Sequence, residues 1–165
     1  MKNSIYPLIF VVEPNPVYNK LIINHLQTHK RIRLESFQNG EECLKNLHLK
    51  PDIIIQDYLL EGINGIDVLV AAKKRLPDTE FIFLSGQDSV EVALNSMRLG
   101  AADYIIKDQH ALAKLSERIN KILIHRDLIN SNKRFKWGLT LFFIALAIII
   151  LIFAGLAILF PTTFH

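Results

Sequence analysis

Apolar positions along the chain follow two alternating rhythms. Short runs rich in Ile, Val, Leu and Phe, over 7–12, 32–37, 52–56, 81–84 and 104–106, predict strands. Between them, 17–28, 41–49, 66–75 and 90–99 repeat hydrophobics at helical spacing, and a fifth such segment begins at 109. The sum is five strand–helix units. In a run such as Ile53-Ile54-Ile55 both strand faces are apolar, which predicts a parallel sheet covered by helices on each side. Breakers agree with this division: Pro16 can open the first helix, Gly40 lies near the start of the second, Pro51 precedes the third strand and Gly100 closes the fourth helix.

A different pattern closes the chain. Over 138–160 there are 23 consecutive uncharged residues, and Thr140 is the only side chain among them able to make an ordinary hydrogen bond. At 1.5 Å per residue this is about 34 Å of helix, enough to cross a hydrocarbon layer of about 30 Å. A buried core helix is the alternative, but such helices in a small domain rarely run this far without a polar face. The sequence therefore predicts an α/β domain over 1–125, a basic juxtamembrane helix extension over 126–136, a transmembrane helix over 137–160 and a short tail over 161–165.

Charge sharpens that division. Residues 1–120 hold 14 Lys and Arg against 15 Asp and Glu, whereas 121–136 hold Lys121, Arg126, Lys133, Arg134 and Lys136 against Asp127 alone. The net charge of +3 thus belongs to the segment beside the apolar run, and nucleic-acid binding is not needed to explain it. Juxtamembrane cations hold their side of a span in the cytoplasm and attract anionic lipid, and Trp137 sits where an interfacial aromatic belongs. The expectation is a single-pass tail anchor in the inner (cytoplasmic) membrane, with the α/β domain in the cytoplasm and no N-terminal signal peptide. Cys43 is the only cysteine, so neither an internal disulfide nor a cysteine metal site is available.

In an open parallel sheet, chemistry collects at the C-terminal ends of the strands. Glu13, Pro14 and Asn15 follow the first predicted strand, Asp57 the third, Ser85 and Gly86 the fourth, and Lys107 the fifth. A carboxylate can act as a nucleophile toward phosphorus, and the charge it then gains calls for an ammonium, a hydroxyl and a hard cation. Each residue also has a plainer reading. Asp57 can cap a turn, Lys107 can snorkel at the surface, Ser85 can enter a helix and Tyr104 can be a core or edge aromatic; joint placement of the first three is what points to function. The six histidines show no ligand spacing, and His25, His29 and His48 are expected on solvated helix faces.

These segments resemble the receiver domains of two-component response regulators over nearly all of residues 5–125. "PDIIIQDYLLEGINGIDVL" is similar to the family's strand–aspartate–loop segment, with Asp57 at the phosphoacceptor position and Gly65 at the loop glycine. "FIFLSGQDSVEVALNSMRLGAADYIIKD" is similar to its fourth and fifth strand region. The resemblance implies a flavodoxin-like doubly wound five-stranded sheet of order 2-1-3-4-5. It implies Ser85 as the phosphate-sensing hydroxyl, Tyr104 as the switch aromatic and Lys107 as the phosphate-pairing lysine. In "VVEPNP", Glu13 takes the first acidic position and Pro14 stands where the second carboxylate belongs. The implied Mg²⁺ site, made by Asp57, the Leu59 backbone carbonyl and Glu13 directly or through water, is therefore weakened. Glu61 and Asp108 replace prolines usual in the family, and Glu61 is expected to be a solvated loop residue.

The function expected is a membrane-anchored, non-enzymatic response regulator. It would take a phosphoryl group on Asp57 from a histidine kinase or phosphotransfer protein and signal by binding an output protein of unspecified identity. The alternative is a pseudo-receiver that acts as a constitutive scaffold in a membrane complex. A homodimer is a further expectation. Leu112, Leu115, Ile119 and Ile122 begin a seven-residue spacing that continues through Arg126, Ile129, Lys133 and Lys136 to Thr140, Phe143, Ala147, Ile150, Ala154 and Ala157. Packing of the fifth helix on the sheet would produce the same stripe.

Overall fold

The computed structural model describes residues 6–28 and 31–159, with the backbone alone described at 129–136, 138, 151, 153–154 and 156–159. The chain divides into two compact units, Met1–Leu123 and Ile124–His165. Unit one holds a five-stranded sheet made of β1 (Leu8–Val12), β2 (Arg33–Phe37), β3 (Ile53–Gln56), β4 (Glu80–Ser85) and β5 (Asp103–Ile106). All pairings are parallel and the order is β2-β1-β3-β4-β5, as the resemblance implied. The connecting helices are α1 (Pro16–Gln27), α2 (Gly40–Lys45), α3 (Gly65–Arg75) and α4 (Val90–Arg98), and α5 spans Ala111–Leu159.

Strand alternation sorts the core into two layers. Ile9, Val11, Ile53, Ile55, Ile82, Leu84 and Ile105 face Ile22 and Leu26 of α1 and Ala111, Leu115, Ile119 and Ile122 of α5. On the other face, Leu8, Phe10, Val12, Ile54, Phe81 and Phe83 meet Cys43 of α2 and Val68, Leu69 and Ala72 of α3. Helix starts are set by side-chain caps that satisfy otherwise unpaired amides. Asn15 accepts from Val17 and Tyr18, Asn39 from Glu42, Asn64 from Ile66 and Ser89 from Val92. Pro16 occupies the first turn of α1, and Gly100, at φ +99°, ends α4.

Three expectations change. The second predicted helix tightens into a 3₁₀ turn at Asn46–Leu49, closed by Lys50 at φ 55°. Leu115, Ile119 and Ile122 lie in the core against the sheet, with Leu112 packed beside them, so the soluble part of the seven-residue stripe is a core face and not a dimer seam. The third concerns the span. Among the described residues no helix is long and apolar enough to cross a membrane, so the transmembrane helix expected over 137–160 is not found there. The 161–165 tail and the side chains of Lys133, Arg134 and Lys136 lie outside the described residues.

Candidate functional site

Hydrogen bonding continues past the strand ends and sets the predicted residues side by side. The Glu13 amide donates to the Phe37 carbonyl at 3.1 Å, that of Asp57 to Val12 at 2.9 Å and that of Lys107 to Ser85 at 2.7 Å. Glu13, Asp57, Ser85 and Lys107 therefore share the C-terminal edge of the sheet. The Lys107 side chain then crosses this edge. Its Nζ donates to Asp57 Oδ2 at 2.6 Å and to Glu13 Oε2 at 2.7 Å, and it lies 4.6 Å from the centroid of the Tyr18 ring.

Both carboxylates are fully engaged. Glu13 Oε1 accepts the Asn15 amide at 3.0 Å, and Asp57 Oδ1 accepts the Leu59 amide at 3.2 Å, which draws the β3–α3 loop back over Asp57. Glu13 is almost wholly buried, with 2% of its side chain exposed, against 12% for Asp57 and 16% for Lys107. Burial pushes the Glu13 carboxyl above its ordinary value and outweighs the opposing Lys107 and Asn15 hydrogen bonds. Burial also pulls on the Lys107 ammonium. There the hydrogen bonds and charges of Asp57 and Glu13 win, and its pKa rises above 10.5.

A second cluster lies around β4 and β5. Ser85 is buried, and its Oγ accepts the Gln87 amide at 3.1 Å. The Tyr104 hydroxyl donates to the Gln87 carbonyl at 2.9 Å, and burial raises its pKa against an opposing hydrogen bond with Ser85. The Tyr104 ring meets Tyr58 edge-on at 6.3 Å and Phe83 at 6.1 Å. The residue after Asp57 thus touches the aromatic after Asp103. Gly65 opens α3 where a Cβ would lie 2.7 Å from the Tyr58 carbonyl, so backbone approach to the Asp57 loop requires glycine.

Several contributors were not foreseen. Tyr18 over Lys107 and the Gln87 carbonyl carry no local sequence signal. Gln56 does carry one, being polar in an apolar strand; it is fully buried and donates to the Gly65 carbonyl at 3.0 Å. Glu41 accepts the Ile63 amide at 3.0 Å and fixes the far end of the same loop. Among the residues that were foreseen, Glu61 is exposed, and Asp108 ties the start of α5 through the His110 amide and Lys114. His25 departs from the expected solvated face: it is half-buried, with Nε2 2.8 Å from Ser116 Oγ.

The family model described as response regulator receiver domain matches residues 9–120, and the chain belongs to that family. The regulatory protein LuxO of Vibrio cholerae serotype O1 is 32% identical over 103 residues, covering 59% of this chain and 22% of that protein. The chain spans about a fifth of the length of this relative. A response regulator from Thermotoga maritima aligns with TM-score 0.64 at 27% identity, over 72% of this chain and 98% of the other. The receiver domain of a LuxO repressor protein from Vibrio parahaemolyticus aligns with TM-score 0.66 at 22% identity, over 76% and 98%, and supports the fold alone.

Receiver domains accept a phosphoryl group in two-component signalling, and they typically bind Mg²⁺ at the acidic phosphorylation site. The donor set here does not fit that ion. Pro14 has no side-chain oxygen to take the place of a carboxylate, and the two carboxylates that remain share one ammonium between them. Among the described residues no group of three or more His, Cys, Asp or Glu could hold a metal. Asp57 and Glu13 do converge as expected, while Leu59 is seen to contribute its amide.

Proposed function

We propose that the chain is a membrane-anchored response regulator whose Asp57 accepts a phosphoryl group from a histidine kinase or phosphotransfer protein. The observation that carries this reading is the 2.6 Å contact between Lys107 Nζ and Asp57 Oδ2. In the transfer, a carboxylate oxygen of Asp57 bonds to phosphorus as the donor's P–N bond breaks, and the departing imidazole nitrogen takes up a proton. Lys107 offsets the charge that arrives on the carboxylate, with the Ser85 hydroxyl as the second donor. The protein is not itself an enzyme on this reading.

Output is protein binding. Rearrangement at Ser85 would pass to the Gln87 turn that holds Tyr104, and from there into α4. That helix exposes Val90 (74%), Leu94 (54%) and Met97 (44%) at helical spacing, an apolar stripe suited to a protein partner. Membrane attachment rests on the 23 uncharged residues at 138–160 and on α5 extending to Leu159. Leu139, Leu141, Phe142, Phe143, Ile144 and Ile148 are all at least 48% exposed, as a lipid-facing helix requires. The basic segment before it would place the receiver domain on the cytoplasmic side of the inner membrane and contact anionic lipid.

Pro14 favours a second reading, a pseudo-receiver that serves as a phosphorylation-independent scaffold. Incubation of the full chain with phosphoramidate, with and without Mg²⁺, decides between the two. A mass increase of one phosphoryl group, lost in Asp57→Asn, supports the first reading. No increase in wild type at any Mg²⁺ concentration, with uptake by Pro14→Asp, supports the second. Alkaline carbonate extraction tests the anchor, since release into the supernatant is the behaviour of a surface-bound protein.

A further inference from the structure

We infer that Lys107 is the resident cation of this site, and that its ammonium fills the role of a divalent ion by joining Glu13 to Asp57. An ammonium has three protons to donate. Two go to Asp57 Oδ2 and Glu13 Oε2, and the Tyr18 ring at 4.6 Å presents a π-face to the charge. The amides of Asn15 and Leu59 take the remaining carboxylate oxygens. Every oxygen of the two acids therefore has a partner within the chain.

Charge leads to the same conclusion. Two carboxylates and one ammonium leave a single negative charge, and Pro14 adds none. Mg²⁺ dehydrates reluctantly and depends on carboxylates to do so. To enter here it must displace Lys107 from both acids, or bind beside a positive charge that three side chains hold in place. Tyr18 is the element that makes this more than a passing ion pair. Its ring lies under the ammonium at 4.6 Å, so withdrawal of Lys107 gives up a cation–π contact as well as two charge-assisted hydrogen bonds.

Cation occupancy of the site is independent of whether Asp57 takes a phosphoryl group, so metal alone is the probe. Full chain in detergent micelles is titrated with Mn²⁺ while the electron paramagnetic resonance signal of the free ion is followed. Wild type is expected to show no saturable binding at about 1 mM, where weak carboxylate sites already fill. Lys107→Met, which vacates the space between the acids, is expected to bind Mn²⁺ at least about tenfold more tightly, and Asp57→Asn in that background to abolish the gain. Saturable binding to wild type that Asp57→Asn removes overturns the inference. So does a folded Lys107→Met chain that still binds nothing, since something other than the ammonium then excludes the ion. Should Lys107→Met fail to fold, Lys107→Ala, which also removes the ammonium from between the acids, is read the same way. Acetic anhydride labelling needs no variant: Lys107 is expected to stay protected relative to Lys20, equally with and without Mg²⁺, and deprotection by Mg²⁺ counts against the inference. Because Mn²⁺ binding is read directly, failure here is distinct from failure of Asp57 to take a phosphoryl group.

Discussion

The hydroxyl of Tyr104 donates a hydrogen bond of 2.9 Å to the backbone carbonyl of Gln87, tying β5 to the turn that leads into α4. The same turn hangs from Ser85, whose Oγ accepts the Gln87 amide. One peptide segment is thus held by Ser85 and by Tyr104, the two residues that the proposed function assigns to sensing and reporting a phosphoryl group.

Tyr104→Phe separates the hydroxyl from the ring. Ring contacts to Tyr58 and Phe83 survive, while the Gln87 carbonyl loses its donor. The expected cost is about 1 kcal/mol of stability, the net worth of one such hydrogen bond. Backbone amides of the 86–89 turn should exchange faster by hydrogen exchange mass spectrometry, with the β1 and β3 amides unchanged. Unchanged exchange in that turn would show that the hydroxyl does not restrain it.

Gly65→Ala tests the close approach behind the Asp57 loop. The new Cβ would lie 2.7 Å from the Tyr58 carbonyl and 2.9 Å from Gln56 Nε2, so the loop must give way. Overpacking of this kind costs about 1–3 kcal/mol. The displacement should also weaken the Leu59 amide contact to Asp57, visible as a shift of the Leu59 amide resonance. Gly86→Ala serves as a control, because a Cβ there meets nothing within 4 Å.

Cys43 reports on the second core layer. Its thiol is fully buried, and burial pushes its pKa up to about 12. The thiolate is the reactive form, so iodoacetamide at pH 8 should leave the folded domain unmodified and alkylate it rapidly in urea. Labelling of the native protein at the rate of a free thiol would show that α2 opens readily from the sheet.

The central strands β1, β3 and β4 were legible because a short run apolar on both faces fits a covered parallel strand and little else, whereas the edge strand β2, Arg33–Phe37, is only partly covered. Glu13, Asp57, Ser85 and Lys107 were legible because chain order alone puts them on one sheet edge. What failed to show had physical causes. The stripe Leu115, Ile119 and Ile122 satisfies a sheet contact as well as a seven-residue seam, and only the fold reveals that the sheet takes it. Tyr18 reaches Lys107 through the rotation of α1 about its axis, a long-range quantity that no local spacing encodes. The Gln87 acceptor is a backbone carbonyl and has no residue signature at all.

The raised pKa of Lys107 makes a prediction about stability and pH. Its ammonium faces Glu13, Asp57 and the Tyr18 ring, and these acids lift its folded-state value above the 10.5 of an ordinary lysine despite burial. Folding therefore favours the protonated form. The stability this supplies is fully present below the unfolded value and is lost as pH rises through the higher folded one. Lys107→Met removes it at every pH and leaves two acids near each other without their shared cation. Urea midpoints for wild type and Lys107→Met should differ by a constant amount from pH 7 to the unfolded lysine value, and converge above it. Tyr18→Leu should narrow the gap without moving its onset, because the onset is set by the unfolded lysine value while a ring that favours the ammonium adds only to the size of the gap. A gap that closed between pH 7 and pH 9 would show that Lys107 is not held by its acids in the folded chain.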